Sequence, residues 1–215
     1  ARDALGQGRA AEAEAAYGKA LDLAANANRQ FPESPRWLYY TGIAMSDMGH
    51  PLKAMDALAV ALTYDDDVPG VRDLLNRVMS KTIAERLREL RVGDEAGEPR
   101  RSVLFFNNLY YNYAVLSAAL RRRGWDALTV SFKDPEGDDS FIYFGEELNL
   151  YQDSHPALME KVSSLIDCVP EHFRLFHSMG RWLDHYPTVW CDDDATVLKV
   201  KRHGVKFGWN PCGCL

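Results

Sequence analysis

Asn107 and Asn108 follow the apolar run SVLFF, and Tyr110, Tyr111 and Tyr113 come directly after them. Amide side chains both give and take hydrogen bonds, and so suit sugar hydroxyls or phosphate oxygens. Tyrosine adds a flat apolar face with a hydroxyl at its tip. The same asparagines also fit a turn or a helix cap, and at least one of the tyrosines is expected to pack under the helix that follows. His177 stands next to last in FRLFHS and is read as ending that strand, where an imidazole titrating near neutrality could orient or deprotonate a hydroxyl. A half-buried histidine bonded to backbone is the plainer alternative. Arg181, four residues on, could pair with a phosphate or carboxylate, or join a surface ion pair.

Two further sets carry less. Asp192, Asp193 and Asp194 could hold a divalent ion. They lead straight into the helical pattern ATVLKVKRHG, however, and capping the positive end of that helix accounts for them better. Cys212-x-Cys214, with Cys191, lacks the second spaced pair of a structural zinc site, and His172, His177 and His185 do not share a helix face. No metal is expected. The chain also has no G-x-G-x-x-G after its first strand and no G-x-x-x-x-G-K-[ST], which disfavours nicotinamide binders and P-loop enzymes.

The elements that must position these residues run from Ser102 to Leu215. SVLFF reads as a buried strand, YAVLSAALRRRG as a helix closed by Gly124, and DALTVSF as the next strand. PALMEKVSSLIDCV puts Ala157, Leu158, Val162, Leu165, Ile166 and Val169 on one helical face. FRLFHS, the short helix ATVLKVKRHG and the strand VKFGWN follow. Alternation of this kind predicts a parallel sheet, with ligands at the carboxyl ends of its strands. This half is Rossmann-like.

The first 92 residues read as helices. Gly8, Ala13, Tyr17 and Ala20 recur 41 residues later as Gly49, Ala54, Leu58 and Ala61, with Trp37 and Gly42 upstream of the second set. Small residues let paired helices approach closely while a bulky one fills the groove beside them. VRDLLNRVMSKTIAERLREL is a further amphipathic helix suited to covering the end of such a stack. The polar, aperiodic stretch RVGDEAGEPR marks the boundary. The predicted class is α + α/β: antiparallel helical repeats over 1–92, a linker over 93–101, and an incomplete Rossmann-like half over 102–215.

A net charge of −6 with scattered basic residues argues against nucleic acid as partner, and no apolar run is long enough to span a bilayer. The four cysteines do not form a secreted disulfide pattern, so a reducing cytoplasm is the expected compartment. The chain opens at Ala1 within a helical pattern and ends at Leu215 just after a strand. It is read as a segment of a longer protein.

Two resemblances sharpen these expectations. The N-terminal pattern resembles the tetratricopeptide repeat, although its offset exceeds the usual ~34 residues. The excess falls in DLAANANRQFPESP, which implies a long second helix in the first repeat. That likeness implies a protein partner on these helices.

From about 102 onward, SVLFFNNLYYNYAVLSAALRRRGWDALTVS, DDSFIYFGEELNLY, FRLFHSMGRWLD and KRHGVKFGWNPCGC resemble the N-terminal, acceptor-side domain of GT-B fold glycosyltransferases. In that family the loop after the first strand lies near the acceptor and the donor phosphates, and a later strand ends in His. The resemblance implies His177 as the catalytic residue. Asn107, Asn108, Tyr111 and Arg181 would line the cleft, with Asn210 and Gly213 in the turn after the last strand. It implies a nucleotide-sugar as donor substrate, no cofactor, and a glycan or protein acceptor. GT-B enzymes hold the donor mainly on a second Rossmann-like domain, which this chain does not reach, so by itself it is expected to be inactive. The rival expectation is a non-enzymatic scaffold of repeat helices with a structural α/β part. A third is a transferase using S-adenosylmethionine, although the usual glycine-rich loop is absent.

Overall fold

The computed structural model describes residues 10–31, 34–91, 101–106, 112–132, 134, 148–179, 198 and 200–210. Helices come first and a five-stranded, all-parallel sheet follows, so the protein is of the α + α/β class. Four helices open the chain: α1 (Ala10–Gln30), α2 (Pro35–Asp47), α3 (Pro51–Tyr64) and α4 (Val71–Leu90). Then come β1 (Ser102–Phe106), α5 (Asn112–Arg121), β2 (Asp126–Ser131), β3 (Leu148–Asn149), α6 (His155–His172), β4 (Leu175–Met179) and β5 (Lys206–Asn210). Residues 198 and 200–202 are helical as well. The expected linker lies almost wholly outside the described residues.

Two compact units divide the chain. One comprises Ala1–Met79 with Ser154–Ser164, the other Ser80–Asp153 with Leu165–Leu215. Both α4 and α6 therefore contribute residues to each unit.

In the helical unit, α2 stops in a turn that needs a left-handed residue, and Gly49 supplies it at φ 80°. His50 N–H bonds back to Met45 C=O at 2.9 Å and Gly49 N–H to Ser46 C=O at 3.1 Å, which satisfies carbonyls the helix end would leave open. So short a turn sends α3 back along α2. The two helices meet where Gly42 faces Leu58: a Cβ added at Gly42 would lie 2.6 Å from Leu58 Cγ and Cδ2. Ala13 and Tyr17 of α1 pack on Ala44 of α2, and the Tyr17 hydroxyl donates to Asp47 Oδ2 at 2.8 Å. At 21 residues α1 is long, as the excess length in the repeat offset implied.

α6 brings charge into this unit. Arg72 of α4 pairs with Glu160 at 2.8 Å. Lys161, its side chain 2% exposed, donates to Asp56 of α3, which is 45% exposed. Burial pushes the Lys161 amine below its ordinary value, and Asp56 only partly restores it.

In the α/β unit, β1 and β2 are buried along their whole length, the continuous apolar pattern of parallel strands covered on both faces. The strand order is β3-β2-β1-β4-β5, the order of the first five strands of a doubly wound nucleotide-binding sheet. α5 ends as expected, with Gly124 at φ 78° and Trp125 N–H bonded to Leu120 C=O at 3.1 Å. Arg91 makes two bonds, 3.0 and 3.1 Å, to the carboxylate of Asp126 at the start of β2.

These contacts set the expected effects on stability. Gly42→Ala is expected to lower the urea-unfolding free energy by about 1–2 kcal/mol, because overpacking against buried Leu58 outweighs the gain in helix propensity. Gly18→Ala, with nothing within 4 Å of the new methyl, should raise it by about 0.5–1 kcal/mol. In the same assay, Asp56→Asn is expected to cost about 1–3 kcal/mol by removing the carboxylate from beside a buried ammonium, the solvent around Asp56 keeping the loss modest, whereas Lys161→Met should cost little or nothing. The folded state holds the Lys161 proton less well than the unfolded state does. Wild-type stability should therefore gain from this group as pH rises from its lowered folded pKa toward 10.5.

Candidate functional site

The sheet face under α5 is formed by Val103, Phe105, Ala127 and Leu175, closed over by Tyr113 and Leu120. His177 is a polar ring in this apolar face. It pairs in register with Phe105 on β1 and with Gly208 on β5. Strand alternation puts Leu104, Phe106, Phe176 and Phe207 on the opposite face, where Phe106 meets Phe132 and Phe176, and Phe176 stacks on Phe207.

Three neighbours hold the His177 ring. Phe105 lies 5.9 Å away, centroid to centroid. Tyr113, from the first turn of α5, meets it edge-on at 5.5 Å, and its hydroxyl reaches His177 Nδ1 at 2.9 Å. The third neighbour is the bare backbone of Gly208, where a Cβ would lie 2.6 Å from His177 Cδ2 and 3.2 Å from Nε2. Burial pushes the His177 pKa below the ordinary imidazole value, so the ring is neutral at physiological pH. No partner among the described residues takes Nε2.

Its position in the fold adds meaning. After β1 the chain builds outward to β2 and β3, then crosses to the other side of β1 for β4. The gap between the β1 and β4 carboxyl ends is thus the switch point where open parallel sheets bind ligands. His177 is the third of five residues in β4, two residues short of its carboxyl end rather than at the end of its strand. Pairing of Ser178 with Trp209 and of Met179 with Asn210 carries the strand two residues beyond the apolar run.

Of the other residues singled out in the sequence, Asn107, Asn108, Tyr111, Arg181 and Gly213 lie outside the described residues. Asn210 ends β5 opposite Met179 in backbone register. Tyr113 is one of three tyrosines whose type suits a sugar ring and of which at least one is expected to pack under the helix. It does pack there, 3% exposed, but its hydroxyl also meets His177, 64 residues away in sequence. Gly208 had no sequence signal beyond being a glycine within a strand.

A second polar cluster joins α4 and α6 within the α/β unit. Ser80 Oγ lies 2.7 Å from Glu171 Oε2 and 2.8 Å from His172 Nε2. The single hydroxyl hydrogen goes to the carboxylate, which can only accept, so His172 donates to Ser80. That polarity is the reverse of an activated serine, whose proton must pass to the histidine. Cys168, one turn back on α6, is inert as a thiol: burial, aided by Glu171 and Asp167, pushes its pKa to about 12. Among the described residues no group of three His, Cys, Asp or Glu side chains could hold a metal ion, and no helix is long and apolar enough to cross a membrane.

No protein-family model matches the chain, and no curated protein matches it.

The neutral ring gives a pH signature. The unfolded chain binds more protons than the folded one between the lowered His177 pKa and 6.5, so stability falls as pH drops through that window. His172, also lowered chiefly by burial, acts in the same direction. Urea unfolding at pH 7 and about pH 5 should show this loss in the wild type and a smaller one in His177→Gln.

Proposed function

We propose that the α/β unit is the acceptor-side half of a GT-B-type glycosyltransferase, transferring a sugar from a nucleotide-sugar to a hydroxyl of a glycan or protein. The observation that carries this reading is a neutral, hydrogen-bonded histidine two residues from the carboxyl end of β4, a strand that borders the switch point of a 3-2-1-4-5 parallel sheet. The sequence that follows β1 has no glycine fingerprint and carries two asparagines and a tyrosine, Asn107, Asn108 and Tyr111. Amides, a phenol and an imidazole suit polyhydroxylated ligands better than a dinucleotide's pyrophosphate. On this reading His177 serves the reaction, Asn107, Asn108, Tyr111 and Arg181 bind ligand, and Asn210 and Gly213 border the cleft.

The helical unit is read as a tetratricopeptide-like module that binds a protein partner. Its support is the burial of equivalent positions, Ala13 with Ala54 and Tyr17 with Leu58, together with the Gly42 seam. Ala20 departs from the pattern, being exposed where Ala61 is buried. Phe31, Tyr40 and Tyr64, at 60%, 48% and 50% exposure, are aromatic surface of the kind a partner covers. These aromatics equally favour the second reading, a non-enzymatic scaffold whose α/β part is structural.

Incubating the natural gene product that carries this segment with a panel of UDP-, GDP- and dTDP-sugars plus acceptor saccharides separates the two. The glycosyltransferase reading expects acceptor-dependent nucleotide release from at least one donor, reduced on the order of 10²-fold in His177→Ala. Absence of release from every donor would favour the scaffold.

A further inference from the structure

What His177 can do for a ligand depends on which of its nitrogens carries hydrogen. Tyr113 decides this. Its ring is buried against Phe105 at 4.8 Å, and its hydroxyl meets Nδ1 at 2.9 Å. A phenol is a far stronger acid than a neutral imidazole N–H, and the imidazole's bare nitrogen is a better base than a phenol oxygen. The favoured polarity therefore has the Tyr113 hydroxyl donating to Nδ1. A neutral imidazole carries one hydrogen, so it then resides on Nε2.

The Nε2 edge turns toward β5, and the residue beside it there is Gly208. Any side chain at that position would meet the ring: its Cβ alone would lie 2.6 Å from Cδ2 and 3.2 Å from Nε2. Glycine in a strand interior weakens the strand and is found where something must approach the backbone closely. Here the ring edge is that feature: the missing side chain is what lets the ring lie against β5.

The geometry points to a hydrogen-bond donor site in which Tyr113 holds His177 in its Nε2–H tautomer and Gly208 lets the ring lie against β5, so that the Nε2–H, which no described residue takes, is offered to a ligand oxygen. The ligand class is one with exposed lone pairs, a phosphate or a sugar hydroxyl, and this identity alone rests on the sugar-transfer reading. His177 then steadies an oxygen instead of removing a proton, so the proton lost by an acceptor hydroxyl goes to another group. Tyr113 is a positioning residue, acting through the histidine.

The test is a long-range proton–nitrogen correlation spectrum of the uniformly ¹⁵N-labelled 215-residue chain at near-neutral pH. The His177 ring signals are identified by their loss in His177→Gln. The expected result is the pattern of a single Nε2–H tautomer, turning into a mixture in Tyr113→Phe, which keeps the ring and removes only the hydroxyl. An Nδ1–H pattern in the wild type, or an unchanged pattern in Tyr113→Phe, overturns the assignment; should that variant not fold, the wild-type pattern decides alone. Glucose 1-phosphate, which carries both kinds of oxygen, is then titrated in. The Nε2 resonance should move in the wild type and stay fixed in Gly208→Ala, and a resonance fixed in both overturns the donor site. Movement without turnover of any nucleotide-sugar would defeat the sugar-transfer reading and leave the donor site standing.

Discussion

An imidazole placed within a covered face of a parallel sheet must have its polar atoms answered, because burying an unpaired polar group costs roughly 1–3 kcal/mol. In this protein that requirement ties three distant pieces of chain together. The Tyr113 hydroxyl answers one ring nitrogen, Phe105 packs beside the ring, and Gly208 makes room for it. Tyr113 in turn opens α5, so the helix that covers the sheet is keyed to the strand that crosses the switch point. The α/β unit could bury a leucine at this position at lower cost. That it buries a histidine, with its second nitrogen next to a glycine, is the strongest sign of a purpose beyond packing.

The helical unit obeys a different constraint, that of close approach. Gly42 against Leu58, and Ala13 with Tyr17 against Ala44, bring backbones together where larger residues would hold them apart. Lys161 is the exception to apolar packing in this unit. Its burial beside Asp56 places one ion pair where a methionine would fit, an arrangement that contributes more to fixing one geometry than to stability.

Much of this was legible in the sequence. SVLFF is a short apolar run bounded by polar residues, and DALTVS and KFGWN alternate with helical patterns, so all three could be read as strands, and Gly124 announced the end of α5. The start of β4 could not be read so well. Phe173 looks like strand, but its N–H still bonds Val169 C=O at 2.8 Å and belongs to the end of α6. β3, two residues long, is too short to show any periodicity. Position 161 falls on the same helical face as Ala157 and Leu165, so its burial was written in the spacing while its residue type argued against it. The meeting of Tyr113, His177 and Gly208 was out of reach, since it depends on strand register, which no local pattern encodes.

The central claim is that an oxygen-rich ligand meets the Nε2 edge of His177, on the β5 side of β4. A crystal structure of the protein soaked with a nucleotide-sugar and, separately, with an acceptor saccharide tests it most directly. The account predicts a hydroxyl or phosphate oxygen about 2.6–3.2 Å from His177 Nε2, with Gly208 beneath it. A ligand bound elsewhere, with the Nε2 edge covered by the protein's own side chains, would contradict it.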